Sequence, residues 1–539
     1  MTTTLHRGGR IFTADPDRPW AEALVETGGV LTFVGSDADA REHCRDASGL
    51  RVVELDGAVV LPGFVDAHTH LVHLGSSLGH LDLLAARDAA DLQARLRAYA
   101  AEHPDAPRLL GGQWLFEPLA GRAPDRHLLD EAVADRPVYL HSNDMHSIWV
   151  NTAALAELGI DDSTPDPLGG TIGRDATGAA TGMLYETAAL GLAEDFLAGL
   201  VTDADRDRAL DAAVAAYLEA GVTGAVDMGM RADDLAALER AAADGRLGIR
   251  VAAHWLIAPT GDPVADLAQV DEARALAERL AGGPIRIAGV KIMVDGVIDS
   301  CTAAMRAPFA DGSRPGPIWP LAALEPVVRA ADAAGLQVAM HAIGDEASDI
   351  ALTALERAIA ANGPLDRRHR LEHLETVAEE NVARLARLGA VASMQPVHAD
   401  PAIQATWRAN LGDHRVERGY PWPEFTAAGA VLAFGSDAPT APHPPLPNMF
   451  VASTRRSAID PSLPANLPEL ALPLAAALGH GTRDAAYSCR WEDVAGTLRA
   501  GLAADFVVLD ADPFAAGPDA LLTANIARTV VGGRTVAGR

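Results

Sequence analysis

From residue 59 to residue 439 the chain repeats one unit, an apolar run of four to seven residues followed by a helical stretch rich in Ala, Leu, Glu and Arg. A short apolar run bounded by turns reads as a strand buried on both faces, and alternation with helices favours a parallel sheet. The runs are VVLPGFVDAHTH near 59–70, GVTGAVD at 221–227, IRVAAHW at 249–255, IAGVKIMVDG at 287–296, LQVAMHAIGD at 336–345, HRLEHLE at 369–375, GAVASMQP at 389–396 and AVLAFGSDAP at 430–439. Eight such units predict an α/β fold of the TIM-like (β/α)8 barrel type. One interval is out of scale: about 150 residues separate the first run from the second, where ordinary connections are short. Residues 72–212 are rich in helical patterns, and the expectation is an inserted lid subdomain over the barrel mouth.

Both ends of the chain read differently. GGRIFTAD, VLTFVGSD and RVVELDGAVVLPG near the start, and GLAADFVVLDADP and IARTVVGGRTVAG near the end, are short β-rich runs separated by Gly and Asp turns. They predict one small β-sandwich built from both termini, residues 1–57 with 490–539, leaving 58–489 for the barrel. With 49% hydrophobic and 22% charged residues the chain can bury a large core. A formal charge of −29 excludes nucleic acid as a natural partner and suits a small neutral or cationic ligand. Three scattered cysteines form no disulfide framework, and neither a secretory leader nor a membrane span is visible. The expectation is a cytoplasmic protein acting on a small molecule, with no membrane partner and with a homodimer left open.

Barrel enzymes carry their chemistry at the C-terminal ends of the strands. The first run ends in His68-Thr69-His70, and histidines at i and i+2 on a strand face the same way, so both can ligate one metal. The fourth run carries Lys291, the fifth closes on His341, the sixth on His373 and the eighth on Asp437. Each alone has a structural explanation, such as a core histidine or an Asp cap, but five strand ends would need five separate explanations. Lys291 is also the only lysine beside 43 arginines. Arginine keeps its proton, whereas a buried amine can lose one, add CO2 and become a carbamate able to bridge two metal ions. Composition alone leaves chance retention of that lysine open.

The segments LPGFVDAHTHL (61–71), VKIMVDG (290–296), MHAIGDEA (340–347), LEHLE (371–375), SMQP (393–396), GSDAP (435–439) and GLAADFVVLD (501–510) resemble the amidohydrolase superfamily, in the branch of N-substituted formamide deformylases and YtcJ-like hydrolases. HSIWVNTAAL (146–155) resembles the lid insertion of that branch. The resemblance implies a binuclear centre in which His68, His70 and Asp437 hold one metal and His341 and His373 the second, bridged by Lys291 as its carbamate. Zn suits these ligands best, with Fe or Mn also compatible. It implies hydrolysis of an amide-type C–N bond, of an N-formyl or N-acyl compound or a related small molecule, by a metal-bridging hydroxide. Asp437 would serve as general base and then acid. The same centre could deaminate an aminoheterocycle or open a cyclic amide, and a catalytically silent binding barrel is the reading from another class.

Substrate choice belongs to the insertion and the later loops, because metal ligands are common to many reactions. The candidates there are Trp114, Asn143, His146, Met305, Trp319, Gln395, His398 and Trp407, with His146 and Gln395 foremost. Cys301 reads as a buried free thiol.

Overall fold

The computed structural model describes residues 2–143, 145–167 and 169–538. Its centre is the expected barrel. Eight parallel strands follow in chain order: β1 (Phe64–Thr69), β2 (Val222–Met230), β3 (Arg250–Ile257), β4 (Ile285–Met293), β5 (Gln337–Ala342), β6 (Arg370–His373), β7 (Val391–Met394) and β8 (Val431–Phe434). Every residue of β1, β5, β6 and β7 is buried, as strands covered on both faces require. Helices pack outside through one apolar stripe each. Asp345–Asn362, for example, buries Ala347, Ala351, Leu352, Ala354, Leu355 and Ala358.

The barrel closes through its last and first strands. Thr69 and Ala438 form a parallel bridge, the His70 amide donates to the Ala438 carbonyl at 2.9 Å, and the Asp437 amide donates to the His68 carbonyl at 2.7 Å. Closure is thus made by the same short segments that carry the candidate ligands.

The first apolar run is two elements. Val59–Pro62 pairs with Phe506–Leu509, and the chain enters the barrel only at Phe64. Gly63 marks the break, where an added Cβ would come within 2.4 Å of the Thr223 side chain. Val59–Pro62 belongs to a mixed eight-stranded sheet shared by both chain ends, which also contains Thr3–Phe12, Trp20–Thr27, Ile526–Val531 and Arg534–Gly538. That sheet has an apolar core of its own around Ile11, Leu24, Val60, Phe506 and Val508.

The stretch between β1 and β2 holds less helix than its sequence suggests. It is built on a six-stranded sheet in the order Gly170–Arg174, Ala180–Glu186, Ser147–Val150, Val138–Ser142, Leu109–Trp114, Leu81–Asp82. The strands are two to seven residues long, and Leu109–Trp114 carries two glycines, so their period-2 signal is faint beside the 14-residue helix Ala89–Glu102. Among the described residues no helix is long and apolar enough to cross a membrane.

Candidate metal centre

Two buried networks underlie the strand ends. Asp66 on β1 accepts from the amides of His68 at 3.1 Å and Ser436 at 2.9 Å, and from the hydroxyls of Ser436 at 2.5 Å and Tyr217 at 2.9 Å. It ties β1 to the turn after β8. Arg370, fully buried on β6, donates to Glu372 on the same face of the strand at 2.6 and 3.0 Å, and to the Ala67 carbonyl on β1 at 2.6 Å. Glu372 in turn accepts the Nδ1 proton of His68 at 2.7 Å. The line Arg370–Glu372–His68 fixes which nitrogen of His68 is bare, as outer-shell carboxylates do for metal-binding imidazoles.

With Nδ1 donating, the Nε2 of His68 carries a lone pair, and it lies 3.3 Å from Asp437 Oδ1. His70 Nε2 approaches the same oxygen at 3.3 Å. Burial, reinforced by the charge of Lys291, pushes His68 down to about 4, so the ring is neutral near pH 7. A bare nitrogen facing a carboxylate oxygen at this distance is a repulsive contact unless a cation lies among the donors, and this donor set fits a divalent metal. His68, His70 and Asp437 form one group whose donor atoms lie within 4.8 Å of one another. His373, His398 and Asp437 form a second. His373 donates Nδ1 to Gln395 Oε1 at 2.8 Å, which leaves its Nε2 bare.

The second group differs from the expected one. His341 stands beside His373, with ring centroids 4.5 Å apart, but its Nε2 faces the Gly296 carbonyl at 3.0 Å. His398, expected among the substrate contacts, stacks parallel to His373 at 6.0 Å and reaches Asp437 Oδ2 at 3.7 Å. Burial holds His341 and His373 well below the ordinary imidazole range. Burial opposes the charge of Asp437, yet the surrounding imidazoles, His68 foremost, keep its carboxyl well below the ordinary carboxylate range.

Lys291 lies on β4 between Leu256 of β3 and Ala339 of β5 in the ladder. It is buried, and burial pushes its amine down to about 8 against the opposing pull of Glu372 and Asp437. A fraction of free amine is therefore present near neutral pH. The backbone is strained here as well: His373, Leu374 and Asp437 have φ of +74°, +48° and +60°. Non-glycine residues held in this region cost about 1–3 kcal/mol each, and such strain concentrates where side chains must be aimed.

One cavity of about 650 Å³ is lined by His68, His70, Lys291, His341, His373 and Asp437 together. Among the substrate candidates, Trp114, Asn143, His146 and His398 line it too. Gln395 reaches the site only through His373. Met305, Trp319 and Trp407 are buried outside the lining: the Met305 sulfur accepts from the Thr376 hydroxyl at 3.7 Å, and the Trp407 indole donates to Glu375 at 2.8 Å. For these large apolar groups, packing in the barrel shell outweighs exposure to a ligand. Cys301 is partly buried and also outside the lining, with burial pushing its thiol up to about 11.

Several residues of the site carry no assignment from sequence. Arg370 and Glu372 are legible in retrospect, as an i, i+2 charge pair on a strand buried on both faces. Glu186, which accepts from His146 Nδ1 at 2.9 Å, and the cavity-lining His73, His141 and Glu194 carry no sequence signal.

Residues 51–537 match the pattern of the Amidohydrolase family. The chain is 32% identical to YtcJ of Bacillus subtilis, over 98% of each chain. It is 28% identical to the N-substituted formamide deformylase of Arthrobacter pascens, over 97% of this chain and 96% of that one. Among solved structures, an uncharacterized metal-dependent hydrolase from Pyrococcus horikoshii superposes with a TM-score of 0.76 at 26% identity, covering 96% of this chain and 99% of that one.

Proposed function

The chain belongs to the amidohydrolase family, and from that premise we propose that it hydrolyses the amide-type C–N bond of a small N-formyl or N-acyl compound at a binuclear metal centre. The observation that carries this reading is the convergence of His68 Nε2, left bare because Nδ1 bonds Glu372, and His70 Nε2, each 3.3 Å from one Asp437 oxygen. In this reading His68, His70 and Asp437 hold one ion. His373 holds the other with His341, and His398 stands close enough to share that duty. Lys291, as its carbamate, would supply a second anion beside Asp437 and could hold both ions. The mixed N and O donor set favours Zn. Bound metal ions would lower the pKa of water toward neutrality and polarise a carbonyl.

The remaining work falls to the chain itself. Asp437 takes a proton from the attacking water and returns it to the leaving nitrogen. Its left-handed backbone and the hydrogen bond its amide donates to the His68 carbonyl keep the carboxylate turned into the cavity. Residues 64–489 are the catalytic unit, with residues 72–212 covering its mouth and excluding bulk water from one side.

The test is a hydrolysis screen of the metal-loaded protein over N-formyl, N-acetyl, cyclic amide and aminoheterocycle panels, with formate, acetate and ammonia read separately. Formate or acetate release that disappears on chelation and returns with metal and bicarbonate is the expected result. Ammonia from aminoheterocycles alone would replace this reading with a deaminase, and no metal uptake with no product would refute catalysis.

A further inference from the structure

The cavity has a second polar wall, away from the six barrel-end residues. His73 comes from the helix Leu71–Ser77 after β1, His141 from the strand Val138–Ser142, and Glu194 from the last position of the π-helix Ala188–Glu194. All three line the cavity. His141 Nδ1 lies 3.4 Å from Glu194 Oε1, and the His73 and His141 rings are 6.4 Å apart. They are looser than metal donors: among the described residues only the two sets sharing Asp437 bring three such atoms within 4.8 Å of one another.

Among the described residues, Glu194 on this wall has a histidine, and no arginine or lysine, in direct contact. Glu194 is 14% exposed at its side chain. The guanidinium groups nearby are engaged elsewhere, Arg231 with Asp195 at 3.2 Å and Arg206 with Asp233 at 2.9 Å. Among the described residues no arginine or lysine lies within 4.0 Å of Glu194. Burial pushes His73 down to about 4, so that ring is neutral and offers an acceptor nitrogen. Burial also opposes the charge of Glu194, but the contact with His141 and, farther off, the charge of Arg231 outweigh it and keep the carboxyl below its ordinary range. The carboxylate therefore stays charged while it lines an open cavity, and with no ammonium or guanidinium in direct contact it leaves a position for a bound cation. The formal charge of −29 draws cations toward the molecule.

We propose that Glu194, flanked by His73 and His141, is a subsite for an ammonium or amidinium group, so that the substrate is an amide carrying a primary amine or amidine remote from the bond that is cut. The reacting end of this assignment rests on the hydrolase reading above. The subsite itself binds a cation whether or not a bond is cut, because its donors and acceptors come from the inserted segment and the helix beside it.

The experiment is calorimetric titration of the metal-loaded protein, near neutral pH, with benzylammonium and with benzyl alcohol of nearly the same shape. Wild type is expected to bind benzylammonium about tenfold more tightly than benzyl alcohol. Glu194→Gln is expected to remove about that factor for the cation and leave the alcohol unchanged. Equal affinity of the two probes in wild type overturns the subsite even if the variant does not fold. Undiminished benzylammonium binding in Glu194→Gln also overturns it, since the amine would then be held elsewhere, as by the metals. A protein that shows the contrast but hydrolyses nothing would keep the subsite and sink the hydrolase reading.

Discussion

The barrel and the inserted segment face each other across one cavity and contribute to it in different ways. Barrel side chains are held by buried networks that cross the sheet: Asp66 joins β1 to the turn after β8, and Arg370 and Glu372 join β6 to β1. Polar groups of the insertion are held in smaller sets, His146 with Glu186 and His141 with Glu194, and Asn143 reaches the barrel at the Thr440 carbonyl, 2.8 Å away in the loop after β8. A network spanning several strands fixes a reacting geometry to a fraction of an ångström, as catalysis demands. A pair at the rim of a small sheet can be exchanged without opening the barrel. Under the proposed function, reaction type rests with the barrel and substrate choice with the insertion.

That division can be broken from either side. On the barrel side, Asp437→Asn keeps the size of the side chain but removes its proton carrier, and kcat is expected to fall about 10²–10⁴-fold. Retained turnover would move the proton carrier to another residue. Arg370→Met strands Glu372 without its buried cation, and denaturant unfolding is expected to register a loss of about 3–5 kcal/mol. A neutral result would mean that the network does not brace the barrel. Glu372→Gln spares the fold more but loosens His68, and metal affinity measured by competition with a chelator is expected to drop about 10–100-fold.

On the insertion side, Glu186→Gln should leave metal content at the wild-type level and change the preference between two substrates by about tenfold. Loss of metal in that variant would show that the insertion helps to build the centre and would erase the division. The smallest effect is one of pH. His254 on β3 bonds Gln337 of β5, and burial pushes it from 6.5 down to about 3. The unfolded chain takes up this proton first as pH falls, so the stability is whole above about 6.5 and lost progressively toward 3, by at most about 1.4 kcal/mol per pH unit for this group. His254→Gln should flatten part of that slope in denaturant midpoints, and an unchanged slope would assign the acid sensitivity to other groups.

How legible each region was follows from the same difference. All eight barrel strands show in the sequence because each is an apolar run buried on both faces, and the position of His68, Lys291, His341, His373 and Asp437 at or just past strand ends follows from the barrel itself. The sheet of the insertion does not show, because strands as short as Leu81–Asp82 and as glycine-rich as Leu109–Trp114 leave almost no periodicity. Nor could spacing reveal which of His341 and His398 stands nearer Asp437, since that depends on how the loop after β7 folds back. Met305 and Trp407 misled because aromatic and sulfur side chains near a barrel mouth pack its shell as readily as they meet a ligand. Glu186 and Glu194 lie far from the barrel motifs in sequence and reach the cavity only through tertiary folding.

In the proposed function the one lysine of the chain supplies an amine where an anionic bridge between two metals is needed, which a guanidinium cannot do. Elemental analysis of wild type and Lys291→Arg, both loaded with metal and bicarbonate and assayed on the same substrate, tests it most directly. A bridging carbamate predicts about two divalent ions per chain in wild type, with fewer ions and little activity in the variant. Two ions and wild-type turnover in Lys291→Arg would contradict it.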